Sequence, residues 1–258
     1  SVGDYPIDHH HRENTNAPQH LNFYPVPSYN IPIGALIPKQ HNGLLFAEKG
    51  ISVSNIVNGT TRLQPVVLLT GQAAGALAAL SVQQQKQARE ISVRTVQEVL
   101  LNAKAYIMPY FDVRADHKHF AAVQRIGATG ILKGKGEPFK WANRTWFFPD
   151  STIAAATFIN DYKEFADIKL TSSTVTIADA VTILATTAKQ YPALQKNTNW
   201  NFSEINELQQ QLAAKWSSWG FTNFDPQRNI TRLELAVLLD AVINPFQLKE
   251  VDHEGHYK

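Results

Sequence analysis

The clearest hydrophobic pattern in the chain is an apolar run at residues 66–81, which predicts a buried helix. Pro65 stands just before it and suits the first helical turn, where its missing N–H would have no partner inside the helix. Gly71 and Gly75 lie one turn apart, although Gly costs about 1 kcal/mol of helix propensity relative to Ala. These glycines leave one helix face nearly free of side chains, so another backbone or a flat ligand can approach it. The run is shorter than the ~18–20 residues of a membrane span and contains Gln72, so we expect no membrane span.

A shorter apolar run, at residues 44–47, precedes the helix and predicts a buried strand. Gly43 before it and Gly50 after it mark its ends. The connector at residues 52–62 is polar, and an Asn-Gly pair within it predicts a turn. The helix that follows begins with backbone N–H donors and a positive partial charge, which suit a carbonyl oxygen or an anion.

A second helix is predicted after the polar break at residues 83–87. It runs over residues 93–104, and Ser92 is placed to act as its N-cap. Its apolar face contains Val96, Val99 and Leu100. The pattern changes in a linker near residue 107, where we place a domain boundary.

Three similar helix openings follow this boundary. At residues 150–156, 173–180 and 228–235 a short polar residue precedes an apolar helix, with an Ile just before or within the first turn. A helix–loop–helix unit of this size cannot bury its own apolar face, so we expect the three lobes to pack on one another.

The pattern as a whole predicts an α+β, or mixed, chain. Residues 1–106 would form a segment of loops, a closing strand and helices; residues 107–246 a mainly helical, three-lobed domain; and residues 247–258 a charged, frayed tail. The length of 258 residues allows one large or two modest domains, and 44% hydrophobic with 18% charged residues is typical of a globular chain with a core.

Charge and cysteine content exclude several classes of function. The net charge of +2 is too small to indicate nucleic acid or an anionic membrane surface as a partner. The chain has no Cys, which excludes disulfides, thiolate catalysis and Cys-type zinc sites. A Cys-free chain agrees with an exported protein, so we favour a periplasmic or secreted location, although the sequence leaves the location open.

The most reactive-looking cluster lies in the loops of residues 1–41, which are rich in Pro, Asn and His. His9, His10 and His11 follow Asp8 and could supply a general acid or base, or a metal ligand. Consecutive residues cannot all face one point, so at most two would share a site. An exposed or structural loop explains the cluster equally well, and we assign no metal site.

Four stretches in order resemble the closing segment of FAD-dependent oxidoreductases related to the flavoprotein subunits of fumarate reductases. They are the apolar run at 44–47, ISVSNIVNG at 51–59, TRLQP at 61–65 and GQAAGALAAL at 71–80. The resemblance covers about residues 1–85. It implies FAD as the cofactor, a last strand that returns to the nucleotide-binding domain, and a helix whose N-terminus points at the flavin pyrimidine ring.

The same resemblance implies a set of site residues. Those expected to line the flavin are Ser52, Ser54, Asn55, Arg62, Leu63, Gln64 and Pro65. The catalytic candidates are His10 and His11, which would border the reactive face of the flavin, and Arg62, which would place a charge near the flavin or the substrate. The substrate would be a small or carbohydrate-like molecule.

One part of the family pattern is missing. That family binds the ADP half of FAD with a G-x-G-x-x-G turn, and here the nearest candidates, Gly130, Gly134 and Gly136, have the wrong spacing and no βαβ frame. Ser1 also stands where an initiator Met would. We therefore expect the C-terminal portion of a longer flavoenzyme, with the N-terminal half of the same flavoprotein as its partner. Alone, this portion would be inactive and would hold FAD weakly.

The second part of the chain is similar to S-layer homology repeats. The similarity lies in the order of a helix, a GI-x-x-G turn at 130–134, an aromatic-Pro-Asp turn and an ITRLE opening at 230–234. In that family the motif's Arg helps to bind an anionic cell-wall glycan. Only the third opening keeps it, as Arg232, while Ala154 and Ala178 stand in the other two. We therefore favour a structural role for this domain.

An inserted loop at residues 136–149 leaves two alternatives open. It carries Trp141, Asn143, Arg144 and Trp146. An exposed Trp beside an Arg would suit stacking on a sugar, but the Trp residues could equally fasten the loop to the core.

Two hypotheses from different classes follow. The chain is either the part of an FAD-dependent oxidoreductase that closes the flavin site, with an accessory helical domain, or a non-catalytic glycan-binding or cell-surface anchoring module. The flavoprotein motif is dense and contiguous, whereas the repeat motif is degenerate, so we favour the enzyme. The substrate, electron acceptor and oligomeric state are not specified by the sequence.

Overall fold

Helices form most of the regular structure in the computed structural model, with two short antiparallel sheets, across the residues it describes: 1–8, 23, 25–196 and 199–258. The prediction of a mixed α+β chain is confirmed in this general form. The chain divides into two compact units. Unit 1 contains Ser1–Phe111, Lys135–Trp146 and Lys249–Lys258, and unit 2 contains Asp112–Gly134 and Phe147–Leu248.

Unit 1 combines three helices with both sheets. Its elements are β1 (Val2–Gly3), β2 (Tyr29–Asn30), α1 (Asn55–Thr61), α2 (Gln64–Gln84), α3 (Val93–Asn102), β3 (Lys135–Glu137) and β4 (Arg144–Trp146). Short 3-10 turns lie at Ile33–Leu36, Glu48–Gly50 and Ala88–Glu90. Strand β1 pairs antiparallel with β2, and β3 pairs antiparallel with β4.

Helix α2 spans 21 residues and has one buried side. The buried residues recur at helical spacing: Val66, Thr70, Ala73, Ala74, Leu77 and Leu80. On the other side Leu68 is 74% exposed and Val82 is 78% exposed. The helix ends at Gln85, whose left-handed φ of 54° stops the helical path.

The length expectation for this helix is wrong. Helix α2 is longer than the predicted run at 66–81, and by length and composition alone it could cross a membrane. A core helix of a soluble protein meets the same two criteria, so this finding carries little weight.

The predicted cap of helix α3 is confirmed. Ser92 Oγ accepts a hydrogen bond of 3.3 Å from Thr95 N–H. Val96 and Leu100 are buried as expected, but Val99 is exposed and Leu101 is buried in its place.

Two predictions for the segment before α2 are wrong. Residues 44–47 form no strand, and Leu44 and Phe46 are exposed. A strand needs a neighbour that offers a ladder of backbone partners. Among the described residues this segment has a bond from Phe46 N–H to Leu36 O at 2.8 Å and a local bond from Gly50 N–H to Ala47 O at 3.3 Å, which do not form a ladder. The connector is not a turn either. Ser54 Oγ caps Val57 N–H at 3.3 Å, which starts helix α1 and places the Asn-Gly pair inside it.

Unit 2 is helical. Its helices are α4 (Phe120–Ala128), α5 (Ala155–Tyr162), α6 (Ile177–Gln190), α7 (Pro192–Lys196), α8 (Ile205–Trp216), α9 (Arg232–Val242) and α10 (Pro245–Leu248). Arg125 on α4 forms a two-pronged ion pair with Asp240 on α9, with both N···O distances at 2.7 Å. Tyr162 is fully buried and hydrogen-bonds Thr187 Oγ1 at 2.8 Å, and burial raises the pKa of its phenol.

The three predicted openings meet in a ring of backbone hydrogen bonds. Three bonds repeat one pattern around the ring: Ala155 N–H to Ser173 O at 3.0 Å, Ile177 N–H to Arg228 O at 3.1 Å, and Arg232 N–H to Ser151 O at 2.7 Å. The buried residues Ile153, Val175 and Ile230 occupy matching positions at its centre. Each donor of the pattern is also the first residue of a helix: α5, α6 and α9.

The polar caps of these openings are only partly as predicted. Thr176 with Asp179 and Thr231 with Glu234 form reciprocal capping boxes at the starts of α6 and α9. Helix α5 instead has Ala154 as its N-cap residue, which offers no side-chain acceptor. Its first turn is fixed by the backbone ring.

The expectation of a frayed C-terminal end is wrong. Val251 is buried and pairs with Tyr257, and His253 O accepts a hydrogen bond of 2.8 Å from Gly34 N–H. Ser92 Oγ also donates to the Glu250 carboxylate at 2.9 Å. Charged sequence alone suggested mobility, whereas backbone partners within unit 1 hold this segment.

Candidate functional site

The N-terminal strand is fastened to helix α1 through one hydroxyl group. Thr60 Oγ1 donates to Tyr5 O at 2.5 Å and is 2.6 Å from the Tyr29 hydroxyl. Because the single Thr60 proton is used, Tyr29 must donate to Thr60. A Cβ at Gly3 would overlap the Tyr29 ring, so this approach requires glycine. Burial raises the pKa of Tyr29, and the Thr60 hydrogen bond opposes that shift.

The same segment brings Asp8 to the end of α1. Asp8 N–H donates to Gly59 O at 3.2 Å, and Arg62 Nη2 donates to Asp8 O at 3.0 Å. The backbone that leads into the predicted histidine cluster is therefore bound directly to Arg62. His10 and His11 themselves lie outside the described residues.

Two buried polar atoms on α1 have no hydrogen-bond partner in the described part of the chain. They are Asn58 Oδ1 and Arg62 Nε, one helical turn apart. A buried donor or acceptor without a partner costs about 1–3 kcal/mol, so native proteins seldom leave one without a reason. An acceptor and a donor that are four residues apart at the end of α1 match a ligand that presents a donor next to an acceptor.

Helix α2 adds backbone donors beside this pair. Its N-cap is Leu63, which offers no side-chain acceptor, and the first bond inside the helix runs from Val67 N–H to Leu63 O at 2.9 Å. Helix geometry leaves the N–H groups of Gln64 and Val66 without an acceptor inside the helix, and Pro65 has none to satisfy. The helix therefore presents a weakly positive, donor-rich end.

The other predicted flavin-lining residues are exposed or half-buried. Ser52, Ser54, Asn55, Gln64 and Pro65 are exposed, while Arg62 and Leu63 are half-buried. The Ser52 backbone N–H donates to Ala35 O at 2.8 Å, which leaves its hydroxyl available. Ser54 uses its hydroxyl oxygen as the cap of α1. Sequence reasoning missed Tyr29, Thr60 and Asn58, because nothing local distinguishes them from ordinary loop and helix residues.

The arginine of the third opening is engaged by backbone groups of unit 2. Arg232 Nε donates to Phe147 O at 2.6 Å and Nη2 donates to Lys133 O at 2.8 Å, and its guanidinium lies over the Phe147 ring. Glu234, two residues further on, forms a two-pronged ion pair with Arg228, at 2.7 and 2.9 Å.

The matching of arginine positions also needs correction. In the backbone ring, the residues equivalent to Arg232 are Ala155 and Ile177, whereas the sequence comparison used Ala154 and Ala178. Neither alignment supplies a second arginine.

One group of possible metal ligands occurs among the described residues. Carboxylate or imidazole atoms of Asp252, Glu254 and His256 lie within 4.8 Å of one another. The backbone N–H groups of Glu254 and His256 each donate to Asp252 Oδ1 at 2.9 Å. These bonds, chiefly that from His256, lower the pKa of Asp252. A tight turn accounts for this grouping without an ion.

Comparison with known proteins gives one match, to the first part of the chain. Residues 1–100 match the family model described as FAD dependent oxidoreductase, and they include the whole candidate site from β1 to the start of α2. This match supports an FAD-dependent oxidoreductase portion in these residues, and it implies FAD as the cofactor of the intact protein. No curated protein and no solved structure matches the chain.

The residues present fit that cofactor. The flavin pyrimidine ring carries an N–H donor between two carbonyl acceptors, which matches the buried Asn58 Oδ1 and Arg62 Nε. The N–H groups at the start of α2 would suit the electron-rich carbonyl oxygens of the same ring.

Proposed function

We propose that residues 1–100 close the flavin site of an FAD-dependent oxidoreductase. The observation that carries this proposal is the unpartnered pair Asn58 Oδ1 and Arg62 Nε next to the uncapped start of α2, within the stretch that matches the family model. The flavin, when bound, supplies the capacity to accept a pair of electrons from a substrate.

The roles of this chain's residues follow from their positions. Arg62, Asn58 and the first N–H groups of α2 bind and orient the pyrimidine ring. The Arg62 charge also favours added electron density on that ring. The Thr60 and Tyr29 hydroxyls hold the backbone of Tyr5 near α1, and the Asp8 carbonyl is bound to Arg62. His10 and His11 are our candidates for proton transfer to or from a small or carbohydrate-like substrate.

The pyrophosphate of FAD would be held by another part of the flavoprotein, its N-terminal half. The 258 residues contain no G-x-G-x-x-G turn. Helix α2 offers a docking face for that half, because Leu68 and Val82 are exposed and a Cβ at Gly71 or Gly75 would meet nothing within 4 Å.

Unit 2 would be an accessory, three-lobed helical domain with a structural role. The repeated backbone ring and its matched centre of Ile153, Val175 and Ile230 support three lobes. The two carbonyl acceptors already bound by Arg232 disfavour glycan binding through that residue.

The Cys-free composition supports a periplasmic or secreted location.

Substitution of Arg62 in the full-length flavoprotein tests the enzyme proposal. Arg62→Ala is expected to reduce FAD content and turnover and to lower the flavin reduction potential, because a positive charge near the ring is lost. Arg62→Lys restores the charge without the Nε donor and should recover part of the potential. Arg89→Ala is the control, since this unit 1 arginine donates to the carbonyls of Pro38, Lys39 and His41.

The proposal is wrong if Arg62→Ala leaves FAD content, potential and turnover at the wild-type values. Equal losses in Arg62→Ala and Arg89→Ala would also contradict it, because they would indicate general destabilisation of unit 1.

A further inference from the structure

The hairpin β3–β4 has one inner and one outer face. In the antiparallel register Lys135 is opposite Trp146, Gly136 opposite Thr145, and Glu137 opposite Arg144. Because side chains alternate along a strand, Gly136 and Thr145 share the inner face. A Cβ at Gly136 would overlap Pro27, and Thr145 is buried, so this face packs onto unit 1. The side chains of the other two pairs, Lys135 with Trp146 and Glu137 with Arg144, lie on the outer face.

The outer face carries an exposed aromatic cluster around one guanidinium. Phe111 joins it because its N–H donates to Thr145 O at 2.8 Å. The Arg144 guanidinium carbon lies 3.8 Å from the Phe139 ring centre and 4.8 Å from that of Phe111. Phe111 also contacts Trp146 edge to face at 5.1 Å. The exposed Trp141 stands in the same loop, between Phe139 and Arg144 in the sequence. We call Phe111, Phe139, Trp141, Arg144 and Trp146 the Arg144 platform.

The guanidinium has no acceptor among the described residues. Glu137 lies directly across the hairpin, yet its Oε2 accepts from Trp146 Nε1 at 3.2 Å. The contacts described for the Arg144 side chain are those with the two phenyl rings. A guanidinium that lies against ring faces keeps its N–H donors at its edge, where they match the two oxygens of a planar anion.

The loop that carries the platform is fixed before any ligand arrives. Asn143 is buried; its Oδ1 accepts from Phe139 N–H at 3.1 Å, and its N–H donates to Asp4 O at 2.7 Å. Ser28 Oγ donates to Asn143 O at 2.8 Å. Such fixing lowers the entropy lost on binding.

The exposed faces of the aromatic rings indicate what the ligand carries besides its anionic group. Trp141 is 71% exposed and stacks on Tyr5 with a 6.1 Å centre distance, which leaves its other face to solvent. Flat apolar faces beside an edge-on fork of donors suit a ring that is apolar on one face and carries a carboxylate. Within residues 135–146, Lys135 and Lys140 add positive charge and Glu137 carries a carboxylate; Asp4, whose backbone is bonded to Asn143, brings another acidic residue to this loop.

We propose that the Arg144 platform binds an acidic carbohydrate, with the sugar carboxylate on Arg144 and a sugar ring stacked on Trp141. This site is separate from the flavin site, and it stands or falls independently of the proposed oxidoreductase. A protein partner is the other class that favours Trp and Arg, but the edge-on guanidinium and the single open indole face favour a carboxylated sugar.

Binding of polygalacturonate oligosaccharides to the full chain, measured by calorimetry and Trp fluorescence, tests the proposal. We expect saturable binding that weakens with salt, because one charge pair contributes. The fully methyl-esterified oligosaccharide should bind about 10- to 100-fold more weakly, as should Arg144→Gln with the acidic form. Trp141→Ala should weaken both forms. Arg114→Ala removes an 81% exposed arginine and should change nothing.

Several outcomes would overturn the proposal. They are no binding of the acidic oligosaccharide, equal binding of its methyl ester, wild-type binding by Arg144→Gln, or equally tight binding of a poly-glutamate peptide. Thermal unfolding of each variant separates a lost site from a lost fold. If Arg144→Gln unfolds at a lower temperature than the wild type, the two Trp141 variants test the proposal instead. Trp141→Phe keeps an aromatic ring, so retained binding by this variant supports stacking. Unchanged binding by Trp141→Ala contradicts stacking.

Discussion

Single residues fix the candidate flavin site, and Thr60 is the clearest case. Its hydroxyl accepts from Tyr29 and donates to Tyr5 O, so one side chain connects β2, α1 and the N-terminal segment. Isosteric removal of that hydroxyl leaves the buried Tyr29 proton without its acceptor.

We therefore predict that Thr60→Val lowers the free energy of unfolding of unit 1 by about 1–3 kcal/mol. Thr95→Val, at a half-buried position on α3 of the same unit, should change it by less than about 0.5 kcal/mol. Adding Tyr29→Phe to Thr60→Val should cost less than the sum of the two single changes, since both partners are then gone. Chemical denaturation measures all of these, and strictly additive costs would exclude the hydrogen-bonded pair.

Arg232 shows how tertiary contacts change the role of a motif residue. Its Nε and Nη2 donate to Phe147 O and Lys133 O, so the guanidinium fastens two loops of unit 2. We predict that Arg232→Ala destabilises unit 2 by about 1–3 kcal/mol. The fraction that sediments with anionic cell-wall polysaccharide should be the same for this variant and for the wild type. Retention that is lost specifically in Arg232→Ala would revive the anchoring hypothesis.

At the scale of elements, helix α2 combines a buried stripe with an open face that contains both glycines. In the chain by itself a Cβ at Gly75 meets nothing within 4 Å, so Gly75→Ala should raise helix stability by about 1 kcal/mol. Ala79→Gly, on the exposed side, should lower it by a similar amount.

The same glycine tests the docking face in the full-length flavoprotein. Gly75→Leu should keep the chain's own thermal stability but reduce FAD loading, because a large side chain would prevent close packing of the N-terminal half. Normal loading of the Gly75→Leu protein would show that this face is not an interface.

The three helix openings supply a second prediction at this scale. Thr176 and Thr231 cap α6 and α9, while the matching residue of α5 is Ala154, which is exposed and has similarly extended φ and ψ of −63° and 135°. Ala154→Thr should add the missing cap and stabilise unit 2 by about 1 kcal/mol. Ala154→Val has the same shape without the hydroxyl oxygen and should give no gain. Thermal unfolding compares the two variants.

At the scale of the whole molecule, the proposed flavin site lies within residues 1–100, and the sequence of 258 residues has no G-x-G-x-x-G turn. We predict that the purified 258-residue chain is colourless, because the pyrophosphate anchor supplies much of the affinity for FAD. Visible absorbance and the fluorescence of the heat-released supernatant measure bound flavin. A stoichiometric yellow chromophore would mean that another part of this chain holds the dinucleotide.

The sequence by itself determined the features that depend on neighbours along the chain. The apolar helix at α2, the caps Ser92, Thr176 and Thr231, and the resemblance to FAD-dependent oxidoreductases were all visible there. These features are local because a cap or a helical stripe involves residues within one or two turns.

Only the tertiary structure decided the features that join distant segments. The strand predicted at residues 44–47 failed because a strand is defined by its partner, and the described chain offers that segment no ladder. The backbone ring, the Tyr29–Thr60–Tyr5 hydrogen bonds and the assignment of the Arg144 hairpin to unit 1 each join residues that are remote in sequence. Periodicity carries no information about such pairs, because their energy depends on the geometry that brings them together.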